Sequence, residues 1–236
     1  MAEPEGQRQH RFRPPPSSCS LLLVRHGESA AAVAGRPFDL VGGHGDPPLH
    51  EAGRQQAEAV ADRLASEPLS ALYVTTLRRT VETAAPLAAR LGLEPQVEPD
   101  LREVYLGEWE GGEYRLRAAE GHPTALAVLE QERWDLIPGA EPAAAFDGRV
   151  RTALTRLAER HPGELVALFT HGGVIGSALS QAAHARPFAF IGADNASISN
   201  LVIADGRWIV RAFNDTAHLG PAWAPVGTTA SPAEAR

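Results

Sequence analysis

The chain contains no lysine: all 22 of its basic residues are arginine. P-loop chemistry and Schiff-base catalysis both require a lysine amine, so both are excluded. What remains is the guanidinium fork, which grips phosphate oxygens through paired hydrogen bonds. Genome composition accounts equally well for the arginines on the surface. Cysteine is almost absent. Cys19 stands alone, which rules out an internal disulfide and a cysteine-built zinc site and reads as a structural thiol at a strand edge. No apolar stretch approaches the ~20 residues that span a bilayer. With a net charge of −7 and no long basic run, neither nucleic acid nor a membrane is an expected partner. Residues 1–18 are polar, proline-rich and dotted with arginine. They lack the apolar core of a secretory signal, so a cytoplasmic protein is expected.

What is present is patterned. At 236 residues and 44% hydrophobic, the chain suits one sizeable α/β domain or at most two small ones. Apolar runs over 20–24, 71–75 and 165–169 predict buried strands. Helices are predicted near 51–65, from about 77 to a stop at Gly92, through Phe146, Val150, Ala153, Leu154 and Leu157, and from His171 to about 183. Asp205-Gly206 between two further apolar segments signals a β-hairpin. This alternation implies a three-layer α/β/α domain over 19–219, with a mostly parallel sheet and an antiparallel edge. Residues 1–18 and 220–236 read as disordered tails. Residues 113–145 interrupt the alternation and read as a cap.

Right-handed crossovers place the carboxyl ends of the three buried strands together. Those ends carry Arg25-His26-Gly27-Glu28, then Thr75-Thr76-Leu77-Arg78-Arg79, then Thr170-His171-Gly172-Gly173. Open α/β sheets build their sites at that edge. A neutral imidazole is a competent nucleophile toward phosphorus near pH 7, provided one tautomer is held by its other nitrogen. Arginines supply donors to the phosphoryl oxygens, and a helix beginning at Gly172 adds N–H groups and the positive end of its dipole. The leaving oxygen also needs an acid. The stretch 100–111 offers Glu103, Glu108 and Glu110, and spacing alone does not choose among them.

These motifs, in this order, resemble the histidine phosphatase superfamily, the phosphoglycerate mutase-like clan, in its Glu-containing branch. The resemblance spans about residues 20–219. It implies the phosphoglycerate mutase-like fold, with His26 as the phosphorylated nucleophile and Glu103 as proton donor. Arg25, Arg79, His171 and Gly172 would hold the phosphate, with Glu28 and Asn195 in support. No metal or organic cofactor is implied, and the partner is a small phosphorylated substrate; monomer or homodimer stays open. One departure matters. The family often has a phosphate-contacting asparagine where this chain has Ala32, which favours a phosphomonoesterase over a phosphoglycerate mutase-type phosphotransferase. A third alternative is a phosphate- or protein-binding module without turnover. His44, His50, His122, His161, His184 and His218 lack metal-ligand spacing and read as solvated or capping residues. Glu108 and Glu110 read as structural or rim carboxylates. Trp109, Tyr114 and Trp134 read as core or as the lining of a substrate cap.

Overall fold

Apolar residues alternate along the strands, and the two sets face different helical layers. The computed structural model describes residues 9–220. In chain order the elements are β1 (Cys19–Arg25), β2 (Leu40–Val41), β3 (His44–Gly45), α1 (Glu51–Leu64), β4 (Leu69–Val74), α2 (Arg78–Leu91) and β5 (Gln96–Val97). Then follow α3 (Glu113–Ala119), α4 (Pro123–Gln131), α5 (Ala143–Arg160), β6 (Leu165–Thr170), α6 (Gly172–Ala183), β7 (Ile198–Ala204) and β8 (Arg207–Asp215). The main sheet has the order β5-β4-β6-β1-β7-β8. β5, β4, β6 and β1 are parallel, whereas β7 and β8 are antiparallel to their neighbours. The expected mostly parallel sheet with an antiparallel edge is therefore the observed one.

Leu21, Leu23, Tyr73, Val166 and Leu168 pack with α5 and α6 on one face. Val24, Leu72, Val74, Ala167 and Phe169 pack with α1 and α2 on the other. Both faces of these strands are dry, which is why they read as continuous apolar runs. Fully burying such a side chain contributes about 1.5–3 kcal/mol. Gly92 ends α2 at φ 64°, the left-handed conformation a glycine adopts without Cβ strain. α2 continues through Pro86.

Between β5 and α5 the chain makes an excursion with an apolar cluster of its own, built on Trp109, Ala125, Val128 and Ile137. Helices α3 and α4 lie within it. Composition reads residues 1–18 as a tail, yet 9–18 contact the domain: Arg211 stacks over the Phe12 ring at 4.0 Å, and Gly163 N–H donates to the Ser18 carbonyl at 2.9 Å. Only Ser18 of this stretch is buried; Phe12 stays 40% exposed. Residues 1–8, and all of 220–236 beyond Gly220, lie outside the described residues. Among the described residues, no helix is long and apolar enough to cross a membrane.

Candidate active site

The register of the sheet assembles the site. Arg25 pairs with Thr170 across β1 and β6, and Val74 of β4 lies beside Phe169. The strand ends that carry His26, Thr75 and His171 therefore lie side by side. His26 N–H donates to the Thr170 carbonyl at 3.0 Å. The carbonyl of His26 accepts from Asn195 Nδ2 at 3.0 Å and from Ala196 N–H at 3.2 Å, on the loop that leads into β7. Gly27 N–H donates to Thr83 Oγ1 of α2 at 3.0 Å.

The rings of His26 and His171 lie edge to face with centroids 5.3 Å apart, at 5% and 0% residue exposure. His26 Nδ1 is 2.7 Å from the Gly27 carbonyl. A carbonyl can only accept, so Nδ1 carries the proton and Nε2 presents its lone pair. Burial, followed by the charges of Arg79 and Arg25, holds His26 well below the ordinary histidine range, against a smaller opposing effect from the Gly27 carbonyl. His171 is also pushed well below that range, by burial first and by Arg79 second. Its Nε2 shares a hydrogen bond with Thr75 Oγ1 at 3.1 Å, and its buried Nδ1 has no partner. Both imidazoles are thus neutral near pH 7.

Arg25 donates to the Ala193 carbonyl, and Arg79 donates through Nη1 to the Gly45 carbonyl at 2.9 Å. In each the buried Nε has no partner. Burial lowers Arg25 and brings Arg79 down to about 10, with the negative charge of Glu103 opposing both. Arg78, the neighbour, turns away and bonds to Asp46, its N–H meeting Oδ1 at 2.8 Å. The Glu103 carboxylate accepts from Val104 N–H at 2.9 Å and from Gly173 N–H at 3.1 Å. A Cβ on Gly173 would sit 2.4 Å from Glu103 Oε1, so the bare backbone of α6 is what lets the carboxylate approach. Arg149 of α5 holds the segment from behind, donating to the carbonyls of Asp100, Arg102 and Glu103 at 2.7–2.9 Å. Arg25, His26, Arg79, Glu103 and Gly172 line one cleft of about 480 Å³.

Two residues expected in support fare differently. Asn195 braces the backbone of His26. The Glu28 side chain faces solvent, 3.8 Å from His50, and lies outside the cleft. Its backbone is tied to α1 instead, with N–H donating to Gln56 Oε1 at 2.8 Å and the carbonyl accepting from His50 N–H at 2.8 Å. Glu108 is exposed, and both oxygens of Glu110 are taken by the N–H groups of Gly45 and Leu106 at 2.7 and 2.9 Å. His50 and His122 cap α1 and α4. His44 lines the cleft, with ring nitrogens 3.1 and 3.2 Å from the Glu103 and Gly42 carbonyls. Sequence reasoning missed that placement, and it missed Arg115, Phe38 and Arg149. Trp109, Tyr114 and Trp134 pack against one another and line the same cleft. Among the described residues, no group of three or more His, Cys, Asp or Glu side chains is gathered to hold a metal ion.

Two neutral imidazoles, guanidinium groups with donors to spare and a carboxyl group, gathered at one edge of an α/β sheet, make a site for handling phosphoryl groups. The model of the histidine phosphatase superfamily (branch 1) matches residues 21–216, and the chain belongs to that superfamily. It is 37% identical over 206 residues to phosphoglycerate mutase-like protein 4 of Arabidopsis thaliana, covering 84% of this chain and 86% of that one. It is 34% identical to a metal-independent phosphoserine phosphatase of the same plant, covering 84% and 82%. Among solved structures, a mycobacterial glucosyl-3-phosphoglycerate phosphatase in complex with VO3 superposes with a TM-score of 0.71 at 30% identity, covering 84% of this chain and 99% of that one.

Proposed function

We propose that this protein is a phosphomonoesterase that works through a phosphohistidine on His26. The Nε2 lone pair forms the N–P bond while the ester P–O bond breaks. The departing oxygen takes its electron pair and the proton of the Glu103 carboxyl, and leaves as the alcohol. Water then attacks phosphorus and gives a proton back to Glu103, and the N–P electrons return to Nε2. Arg25, Arg79 and His171 hold the equatorial oxygens through both steps, and Gly172 offers backbone at the start of α6. The excursion that carries α3 and α4 acts as the cap over the leaving group. The substrate is a small phosphorylated metabolite, the class to which the named phosphatase relatives point.

The observation that carries this reading is the tautomer of His26. The Gly27 carbonyl takes the Nδ1 proton and leaves a bare Nε2 among arginines. The test is phosphate release from an aryl phosphate, beside His26→Ala and with rapid quench to trap the phosphorylated protein. Turnover and a trapped phosphohistidine are expected in the parent only. Equal rates in the two proteins would remove His26 from the chemistry, and interconversion of phosphoglycerates without release would favour the phosphotransferase.

A further inference from the structure

Arg115 belongs to none of the motifs that define the site, yet it lines the same cleft as His26, Arg25 and Arg79. It arrives from α3, a different part of the chain from the strand ends. Its Nη2 donates to Ser29 Oγ at 2.9 Å and its Nη1 to the Ala30 carbonyl at 3.0 Å. Both acceptors lie on the loop that leaves His26. The anchorage therefore holds the guanidinium beside the loop that leaves the nucleophile. A guanidinium has five N–H groups, so donors are left over for a ligand.

Lining the cleft without a carboxylate partner is what sets this arginine beside Arg25 and Arg79. Two residues along α3, Arg117 forms an ion pair with Glu113 at 2.7 Å. Arg115, like Arg25 and Arg79, has no carboxylate within 4.0 Å among the described residues. The three guanidinium groups share one cleft and repel one another, with Glu103 offsetting this for Arg25 and Arg79. Burial, and then the charge of Arg25, hold Arg115 below the ordinary arginine range. A dianion relieves that repulsion. A clamp between cap and loop would need the two hydrogen bonds but not the unbalanced charge.

We infer that Arg115 is a third arginine on the transferred phosphoryl group, donating to an equatorial oxygen the N–H groups that Ser29 and Ala30 leave free. This rests on the phosphatase reading of the site. The experiment measures the Kd of inorganic phosphate for the full chain by calorimetry, and KM for an aryl phosphate and for phosphoserine. The variants are Arg115→Ala, Arg115→Gln and Arg115→Lys. Ala and Gln are expected to raise the Kd and both KM values on the order of tenfold, the worth of a hydrogen bond to a charged group. Lys is expected to recover part of the loss, because it keeps the charge without the fork. The ligand-free melting temperature should hold or rise, since a repelling charge is gone. An unchanged Kd in both the Ala and Gln variants would make Arg115 a clamp only. A loss confined to phosphoserine would move it from the phosphoryl group to the carboxylate of the leaving group and overturn the assignment. If the parent protein neither binds phosphate nor releases it from esters, the phosphatase reading fails. If the parent does both and the variants match it, only this inference fails.

Discussion

Gly173→Ala tests the assignment of the acid with one methyl group. The new Cβ would lie 2.4 Å from Glu103 Oε1 and 3.2 Å from its Cδ, where ordinary contact begins at 3.4 Å. The carboxylate must retreat by about 1 Å, and a displacement of that size at a reacting group costs about 10²-fold in rate. The retreat also gives up the bond from Gly173 N–H. Folding should not suffer, because alanine in a helix is favoured over glycine by about 0.5–1 kcal/mol. The measured quantities are melting temperature and kcat/KM for an alkyl and an aryl phosphate. The alkyl ester should lose about 10²-fold, about 2.7 kcal/mol of transition-state stabilisation. The aryl ester, whose leaving oxygen needs little help from an acid, should lose much less. Gly148→Ala, in α5 and outside the cleft, is the control: a Cβ there would meet nothing within 4 Å, so rates should stay within a few-fold of the parent. Equal losses on the two esters, or no loss on the alkyl ester, would refute Glu103 as the proton donor.

Because folding pushes His26 and His171 below the usual 6.5, the unfolded chain binds more protons under that pH. Stability should therefore fall as pH drops below about 6.5, and His26→Gln should flatten the dependence of melting temperature on pH; parallel slopes would count against the buried neutral state. Glu110→Ala leaves the N–H groups of Gly45 and Leu106 without their acceptor, at about 1–3 kcal/mol for each that stays dry. Thermal melts should show that loss, and KM should rise because the Gly45 carbonyl holds Arg79.

The parts of the molecule that sequence makes legible are those governed by period and punctuation. Strands buried on both faces write themselves as apolar runs, and Gly92 and Asp205-Gly206 mark the turns their conformations demand. Parallel order then carries His26, Arg79 and His171 to one edge. Arg115 stayed hidden because α3 is too short to show a period, and its approach to the site depends on how the excursion folds back. His44 sits in a strand of two residues, too brief to register against its neighbours. Glu28 misled for a local reason. Its backbone N–H and carbonyl are both bound to residues of α1 or its cap, so the side chain that follows His26-Gly27 in sequence turns outward. Gly53, where a Cβ would lie 2.0 Å from the Glu28 carbonyl, lets the helix come that close.

The antiparallel direction of β7 has a mechanical consequence. Its first residue, not its last, lies at the reacting edge, so Asn195 grips His26 at one end of a ladder whose other end is the turn at Asp205 and Gly206. Both turn residues are left-handed, at φ 48° and 74°, which pins the register of the hairpin. Seven strand residues separate the two ends, about 20 Å of stiff ribbon. A change that let the turn slip by one residue would move the edge strand β8 against β7, whose own register β1 holds through six residue pairs. The far rim can thus shift its outermost strand while Asn195 keeps its place at the nucleophile.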